Sequence, residues 1–563
     1  DSVREDKRML IKLAGARVYD PANSVEGEIR DIYIRDGIIV PAPKSDETIQ
    51  KTYSLEGKIV MAGAIDLHTH IGGGKVNIAR TMLPEDQRGN HRLKTDLTRS
   101  GGGHAAPSTL SAGYRYAEMG YTSCFEPAVL PVNARQAHME MADTPMIDTG
   151  GYAMLGNDDL LLQLMAEGAE QQTINDYVAW TMKASQCIGI KVVNPGGINA
   201  FKFNQRKLDV DDLHPHYKLR PRDIVRTLSR ALNELGVPHP LHVHASNLGV
   251  PGNYQSTLAT MDATEGYPIH LTHIQFHSYG TEGDKKFSSS AAEIAEAVNK
   301  QPNVSIDVGQ VMFGQTVTVS GDTMAQHANH SHAHPNKWTC MDIECDAGCG
   351  VVPFRYRDKN FVNALQWAIG LELFLMVDDP WRVFLTTDHP NGAPFTSYPH
   401  LIRLLMDRSF RNDLLAQINP DAAAASHLKS MNREYSLYEI AIMTRAAPAR
   451  ILGLKDRGHL APGAMADITV YHANSNPEQM FERPMMVFKQ GQVIAEEGRI
   501  TAPVTGATQV VRPEFDPGIE KVIGRWFERY HSMDMQNFMI SDDEMSEGIG
   551  SPVNIHPCMD SRA

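Results

Sequence analysis

Apolar residues along the middle of the chain follow two patterns that alternate. Short apolar runs, typical of buried strands, are separated by segments in which apolar residues recur every three or four positions, as on one face of a helix. The clearest predicted helix is "RPRDIVRTLSRALNELG", which stops at Gly236 and carries one apolar face: Ile224, Val225, Leu228, Leu232 and Leu235. Repeated strand and helix units over residues 61–450 predict an α/β fold, most economically a (β/α)8 TIM-like barrel with insertions.

The stretches on either side of the predicted barrel are rich in short strands and turn signals. Residues 1–60 carry Asp-Pro and Asp-Gly turns between strand-like runs, and residues 451–510 repeat that pattern. Because chain ends often lie close together, we expect these two stretches to pair into one small β-sandwich. Residues 511–563 are expected to form a C-terminal tail, whose mixed pattern predicts no particular structure.

Composition narrows the class of function. A chain of 563 residues with 42% hydrophobic content can bury a large core and exceeds the usual size of one domain. The net charge of −14 argues against a nucleic-acid partner or an anionic membrane surface. Six cysteines make no disulfide framework, and the longest apolar stretch is too short for a membrane span and contains Glu372. We therefore expect a cytoplasmic protein without a membrane partner.

A pair of histidines follows a predicted buried strand in "KIVMAGAIDLHTHIGGG". Because strand side chains alternate between faces, His68 and His70 point the same way and could grip one metal ion. The alternative is an ordinary solvated strand end, since a chain with 24 histidines forms other His-x-His pairs by chance. The surrounding sequence has to decide between the two interpretations.

Further polar residues lie where other predicted barrel strands end, which is where barrel enzymes place their chemistry. They occur in "GIKVVNPGG", "LHVHASN", "IHLTHIQFHSYG" and "VFLTTDHPNG", and they are Lys191, His244, His273 and Asp388. Taken singly, a strand-end lysine is usually solvated, and a lone histidine is more often a packed polar group than a ligand. Their common position at strand ends favours one shared site.

These motifs, together with "RGHLAPGAMADITVY" near the end of the chain, resemble the amidohydrolase superfamily across residues 10–500. Five longer strings are similar to the A subunit of formylmethanofuran dehydrogenases: "HIGGGKVNIAR", "MLPEDQR", "GIKVVNPGG", "LTHIQFHSYGTEGD" and "VGQVMFGQT". Within that group, the resemblance is greatest to the bacterial members, the alpha subunits of the formyltransferase/hydrolase complexes of C1-oxidising methylotrophs.

The resemblance implies a binuclear zinc site. His68 and His70 would hold one Zn2+, His244 and His273 the other, and a carboxylated Lys191 would bridge them. Asp388 would complete the first zinc's ligand shell and act as general base and then general acid. Asn247 and His277 are expected to contact substrate. His242 and His270 rank lower as ligands, although His242 shares a face with His244 and could take its place.

The resemblance also implies a reaction and partners. The site would hydrolyse the N-formyl amide of a furfurylamine-type C1 carrier, formyl-methylofuran or formylmethanofuran, to formate and the free amine. Its partners would be a formyltransferase subunit together with the other subunits of the complex. Three alternatives stay open: the archaeal-type condensing direction, a cyclic amidase or N-acyl-amino-acid hydrolase with the same ligands, and an inactive scaffold subunit.

Two other motifs are expected to be structural. Cys340, Cys345 and Cys349 have the spacing of neither a zinc ribbon nor a ferredoxin, and they predict a structural loop. The histidine-rich "NHSHAHP" has no buried strand beside it and predicts a surface insertion.

Overall fold

The computed structural model describes residues 9–320, 322–342 and 348–560. Cys345 lies outside these residues. The strands of the described residues are, in chain order, β1 (Ile11–Asp20), β2 (Val25–Arg35), β3 (Ile38–Val40), β4 (Lys51–Ser54), β5 (Lys58–Ala62), β6 (Ala64–Asp66), β7 (Tyr121–Val129), β8 (Asp148–Met154), β9 (Gly189–Val193), β10 (Leu241–His244), β11 (Ile269–Leu271), β12 (Tyr279–Gly280), β13 (Ser288–Ser289), β14 (Val304–Asp307), β15 (Gly314–Ser320), β16 (Thr339–Asp342), β17 (Gly348–Tyr356), β18 (Val383–Phe384), β19 (Ile468–His472), β20 (Met486–Lys489), β21 (Gln492–Glu496), β22 (Arg499–Ile500), β23 (Thr508–Val511) and β24 (Val553–His556).

The centre of the molecule is a parallel barrel. Its strands pair in the order β6, β7, β8, β9, β10, β11, β14, β18. Just beyond the C-terminal ends of β6 and β18, Thr69 forms a parallel bridge with His389, and the His70 N–H donates to the His389 carbonyl oxygen at 2.9 Å. These contacts join the first strand to the last, so the predicted (β/α)8 barrel is confirmed.

Helices alternate with the barrel strands and continue into the tail. The α-helices of the described residues are Gly74–Met82, Pro84–Gly89, Thr109–Glu118, Ala134–Ala142, Asp159–Ala166, Gln171–Ser185, Gly197–Lys202, Pro221–Glu234, Tyr254–Ala263, Ala291–Lys300, Thr323–Asn329, Phe361–Met376, Tyr398–Met406, Arg408–Leu415, Pro420–Ala425, Leu437–Ala441, Ala447–Leu452, Pro477–Glu482, Ile519–Tyr530 and Met535–Phe538. None of the helices in the described part of the chain is long and apolar enough to cross a membrane.

The helix Pro221–Glu234 shows why the apolar pattern was informative. Proline occupies its first turn, and the Asp223 carboxylate accepts the Arg220 N–H at 3.0 Å, which caps the otherwise unpaired amides. The predicted apolar face is buried, and the chain leaves the helix through Gly236 at φ +70°. The predicted helix is therefore confirmed at both ends.

The two strand-rich chain ends pair with each other, but they form a single sheet and not the two packed sheets of the predicted β-sandwich. Strands β1 to β5 and β19 to β22 form one continuous sheet, in which β5 and β19 run antiparallel and join the N-terminal half to the C-terminal half. The sheet has its own apolar core, where the ring of Tyr53 on β4 meets that of Phe488 on β20 edge to face at 5.6 Å.

The C-terminal tail, for which the sequence predicts no particular structure, extends the barrel sheet. Strand β23 pairs with β8 between Thr508 and Thr149, and β24 lies parallel to β23. The helix Ile519–Tyr530 packs on the barrel helix Gln171–Ser185, where Trp180 contacts Phe527. The tail is thus part of the barrel layer.

An insertion between β14 and the helix Phe361–Met376 forms a separate small sheet. Strands β15, β16 and β17 pair antiparallel, and apolar residues of β15 and β17 pack on the helix Gly74–Met82. The "NHSHAHP" motif lies in this insertion, where Ser331, His332 and His334 are exposed or partly exposed, as predicted for a surface insertion. Cys340 is an exposed free thiol.

A buried ionic cluster ties the terminal sheet to the barrel. Asp148 at the start of β8 accepts hydrogen bonds from Lys489 Nζ at 2.5 Å and Arg457 Nε at 3.0 Å, and Lys489 also donates to Asp467 at 2.8 Å. Burial alone would raise the pKa of Asp148, but Lys489 and Arg457 outweigh it and hold that pKa well below its usual value.

Replacing Asp148 with Asn is expected to lower the free energy of unfolding by about 3–5 kcal/mol, because two buried cations lose the buried carboxylate that they share. Since the folded pKa of Asp148 is depressed, its stabilisation is fully present above the unfolded pKa of about 3.9 and is lost as the pH falls through the folded pKa. Urea unfolding of parent and variant at several pH values measures both effects.

Asp456→Asn is the matched control. Asp456 also pairs with Arg457, at 2.8 Å, but its side chain is 42% exposed, so its loss is expected to cost less than about 1 kcal/mol. Equal unfolding free energies for the parent and Asp148→Asn would contradict the role given to this cluster.

Candidate active site and metal centre

The histidine pair lies directly beyond β6, held by a buried carboxylate. One oxygen of Asp66 accepts the His68 N–H at 3.2 Å, and the other accepts the hydroxyls of Tyr116 at 2.8 Å and Tyr398 at 2.6 Å. Burial raises the pKa of Asp66 to about 7, although these hydrogen bonds oppose the shift. The turn that presents His68 and His70 is thus fixed by Asp66, two residues before the pair.

His68, His70 and Asp388 form one compact ligand group. Asp388 Oδ1 lies 2.6 Å from His68 Nε2 and 3.5 Å from His70 Nε2. One donor atom from each of the three residues falls within 4.8 Å of the others, and all three side chains are buried. Two imidazoles and a carboxylate at this spacing are a donor set suited to Zn2+.

The remaining predicted ligands share a cavity with this group. The rings of His244 and His273 meet edge to face with centroids 4.6 Å apart. The cavity holds about 330 Å3 and lies at the C-terminal ends of the barrel strands. The predicted site residues on its wall are His70, Lys191, His244, His273 and Asp388. His68 lies beside the cavity, against Asp388.

Each of the four predicted histidine ligands has one ring nitrogen close to a second side chain. The pairs are His68 Nδ1 with His242 Nε2 at 2.8 Å, His70 Nδ1 with Glu126 Oε2 at 3.1 Å, His244 Nε2 with Asp322 Oδ2 at 3.1 Å, and His273 Nδ1 with His277 Nε2 at 3.2 Å. Metal-binding histidines in proteins commonly have such a partner, which fixes the ring and leaves the other nitrogen for the metal.

Lys191 on β9 is buried at 2% exposure. Burial lowers the pKa of Lys191 to about 8; Asp388 opposes the shift, and the nearby buried Lys75 adds to it. A lysine with this pKa is partly neutral near neutral pH, and only the neutral amine can react with CO2 to form a carbamate. The environment of Lys191 therefore suits the carboxylation that the sequence resemblance implied.

Backbone strain is concentrated at the same strand ends. Asp388 and His273 adopt left-handed φ values of +51° and +36°, which are unfavourable for residues other than glycine. Gly309, at φ +64°, lies so close to His273 that an added Cβ would sit 2.4 Å from the histidine Cβ. The local packing therefore holds His273 and Asp388 in place at a conformational cost.

The ionisation of Asp388 is set by its neighbours. Burial alone would raise the pKa of Asp388, but the His273 and His68 rings hold it well below its usual value. Asp388 is consequently a carboxylate at neutral pH, able to accept a proton or bind a cation.

The two predicted substrate contacts, Asn247 and His277, are not among the residues that line the cavity. Asn247 donates to Ser256 Oγ at 2.9 Å, and its chain neighbours Leu248 and Gly249 line the cavity instead. His277 packs against His273. The cavity lining therefore gives no support to a direct substrate contact by Asn247 or His277.

His242 and His270, which rank lower as predicted ligands, lie deeper in the barrel than His244. His242 forms a second ligand-sized group with His68 and Asp307, and His270 Nε2 contacts Asp307 Oδ2 at 2.8 Å. His244, rather than His242, is on the cavity wall. This arrangement does not support His242 as a ligand in place of His244.

Three carboxylates at the site were missed by sequence reasoning. Glu126 lies within the buried strand β7, and Asp307 ends the buried strand β14. A charged residue inside an apolar run is the sequence feature that could have indicated both. Asp322 follows β15 in the insertion, where no pattern in the sequence pointed to the site.

Comparison with known proteins agrees with this geometry. A family model described as the amidohydrolase family matches residues 51–495. The chain belongs to the amidohydrolase family. This amidohydrolase is 42% identical over 553 residues to the Fhc A subunit of the formyltransferase/hydrolase complex of Methylorubrum extorquens, covering 96% of this chain and 98% of that protein. It is 40% identical over 549 residues to protein FwdA of Methanocaldococcus jannaschii, covering 93% of this chain and 96% of that protein.

A solved structure has the same fold throughout. In the crystal structure of the formyltransferase/hydrolase complex FhcABCD from Methylorubrum extorquens with methylofuran, one chain matches this amidohydrolase with a TM-score of 0.92 and 42% identity. The match covers 98% of this chain and 100% of that chain. The resemblance inferred from the long motifs is thereby confirmed.

Replacing Lys191 with Ala is expected to lower the divalent metal content of the purified amidohydrolase, because Lys191 is predicted to be a bridging metal ligand. Elemental analysis of parent and variant, both dialysed against metal-free buffer, measures this directly. Lys183→Ala is the matched control, since Lys183 is an exposed lysine of the helix Gln171–Ser185. Equal metal content in the parent and Lys191→Ala would rule out Lys191 as a ligand.

Proposed function

We propose that this amidohydrolase cleaves the N-formyl amide of a formyl-methylofuran or formylmethanofuran type of C1 carrier, releasing formate and the free amine. The observation that carries the proposal is the convergence of Asp388, His70, His244, His273 and Lys191 on one cavity. The relatives support the choice of substrate, because the Methylorubrum complex was crystallised with methylofuran.

The donor set fits two zinc ions. His68, His70 and Asp388 would hold one, His244 and His273 the other, and Lys191 as a carbamate would bridge them. When bound, the metals would supply a water of lowered pKa and polarise the formyl oxygen.

Asp388 has the properties that the proton transfers require. An amine is a poor leaving group until its nitrogen is protonated, so a group must take a proton from the attacking water and return it to nitrogen. Asp388 is ionised at neutral pH, so its carboxylate can accept a proton, and it lies on the wall of the cavity in which the substrate would bind. Asp388 is therefore the proposed general base and then general acid.

The rest of the cavity suits a flat, largely apolar carrier head. Phe276, Phe354 and Tyr356 line the wall together with Leu248 and Val352. Aromatic and aliphatic walls with a few polar groups at one end are typical of sites that orient a small ring. The wall also carries polar side chains, among them Asn360, Asn363 and Gln366, so the lining supports a small ring that bears hydrogen-bonding groups.

We further propose that the chain works within a larger complex. The Methylorubrum relative is named as the A subunit of a formyltransferase/hydrolase complex. A formyltransferase subunit in the same assembly would deliver the formyl carrier to this site. The archaeal relative FwdA has 40% identity, so the same site running in the condensing direction is the alternative to hydrolysis.

Replacing Asp388 with Asn is expected to reduce formate release by at least about 100-fold, because the amide cannot shuttle the proton. The assay follows formate from N-formyl-furfurylamine or a formylated furan carrier, with zinc counted in both proteins. Asp378→Asn, at an exposed carboxylate close by in the sequence, is the matched control and is expected to keep full activity.

Full activity of Asp388→Asn would overturn the proton role. Activity of the parent on hydantoin or dihydrouracil, with none on formylated furfurylamines, would replace the proposed function with that of a cyclic amidase. A parent that binds no zinc would indicate a scaffold subunit.

A further inference from the structure

Asp322 is a buried carboxylate that the proposed chemistry does not use. It lies in the insertion between β14 and the helix Phe361–Met376, is 1% exposed, and reaches the predicted metal ligand His244. We propose that Asp322 is a positioning residue, which orients His244 toward the metal centre and makes docking of the insertion a requirement for full metal binding. This inference rests on the proposed function, since it assumes that His244 is a metal ligand.

Both oxygens of the Asp322 carboxylate are engaged. Oδ2 lies 3.1 Å from His244 Nε2, while Oδ1 accepts the side-chain amide of Asn194 at 3.2 Å and the Ala325 N–H at 3.2 Å. The Asp322 N–H in turn donates to Ser320 Oγ at 2.9 Å. These contacts come from the end of β9, from β15 and from the following helix, so they fix the carboxylate in one orientation.

A fixed carboxylate at Nε2 determines which ring nitrogen of His244 is free to bind a metal. It accepts the Nε2 proton, which leaves the lone pair of the neutral ring on Nδ1. It also makes the ring a stronger donor, and loss of such a partner typically weakens metal binding by about 10–100-fold. Glu126 contacts His70 at Nδ1 instead, which leaves Nε2 for the group with Asp388. The two histidines are thus set to use different ring nitrogens.

Asp322 belongs to the insertion and not to the barrel. The predicted metal ligands lie on a barrel strand or within a few residues of its C-terminal end, whereas Asp322 follows β15 of the insertion and caps the helix Thr323–Asn329. The same insertion contributes Thr318, Val352 and Phe354 to the cavity wall. The insertion therefore both shapes the substrate cavity and orients the predicted metal ligand His244. If the insertion is loosened, the shape of the cavity and the affinity for zinc are expected to change together.

The test is a zinc titration of the full chain against a competing chelator, for the parent and two variants. Asp322→Ala is expected to weaken the second zinc equivalent by about 10–100-fold while the first stays tight. Asp322→Asn keeps a good helix cap and removes only the charge, so its loss is expected to be smaller. Visible spectra of the Co2+-loaded proteins report the ligand geometry at this site and are expected to change in Asp322→Ala.

Lys337→Ala is the matched control. Lys337 belongs to the same insertion and pairs with Glu85 at 2.9 Å on the surface, without contact to His244. The control is expected to bind both zinc ions as the parent does.

The outcomes separate the two proposals. If the parent binds two zinc ions and both Asp322 variants match its affinity and Co2+ spectrum, the positioning role is overturned while the proposed function stands. If the parent binds no second zinc ion at all, the proposed function fails, and the role of Asp322 fails with it. Equal weakening in Lys337→Ala would show that docking of the insertion as a whole, and not the Asp322 carboxylate, controls the second zinc ion, and would overturn the positioning role of Asp322.

Discussion

The burial of many ionisable groups at one end of the barrel is the constraint on which the site depends. A buried carboxylate or imidazole is costly unless it is hydrogen-bonded, paired or bound to a metal. Here Asp66 is held by two tyrosine hydroxyls, Asp307 by His270, and Asp388 by His68. Each predicted histidine ligand has one ring nitrogen paired with a second side chain, and the proposed metal ions would bind at the other ring nitrogens.

The fold supplies this arrangement through closure of the barrel. The bridge between Thr69 and His389 brings the first and last strands together, so His68 meets Asp388 across 320 positions of sequence. Strain at His273 and Asp388 is tolerated because packing on all sides holds them. The ionic cluster around Asp148 and the pairing of β23 with Thr149 lie at the N-terminal end of β8. These stabilising contacts are therefore separate from the candidate site, which lies at the C-terminal ends of the barrel strands.

The parts of the molecule that local sequence patterns encode can be predicted from the sequence. Alternating strand and helix periodicity predicts the barrel, and strand ends marked by His68, Lys191, His244 and Asp388 predict which side chains converge. The missing parts depend on long-range contacts. Asp322 comes from an insertion with no periodic signal. Asn247 and His277 follow ligand positions in sequence, but local patterns do not predict their contacts with Ser256 and His273, and their role as substrate contacts stays a prediction.

We propose that two zinc ions, bridged by a carboxylated Lys191, occupy the space between Asp388 and the four histidines. Anomalous diffraction at the zinc edge from crystals of the purified protein tests it most directly. The account predicts two anomalous peaks, one near His68 and His70 and one near His244 and His273, with extra density on Lys191 Nζ between them. Peaks elsewhere, or an unmodified Lys191 beside an empty cavity in zinc-replete crystals, would contradict it.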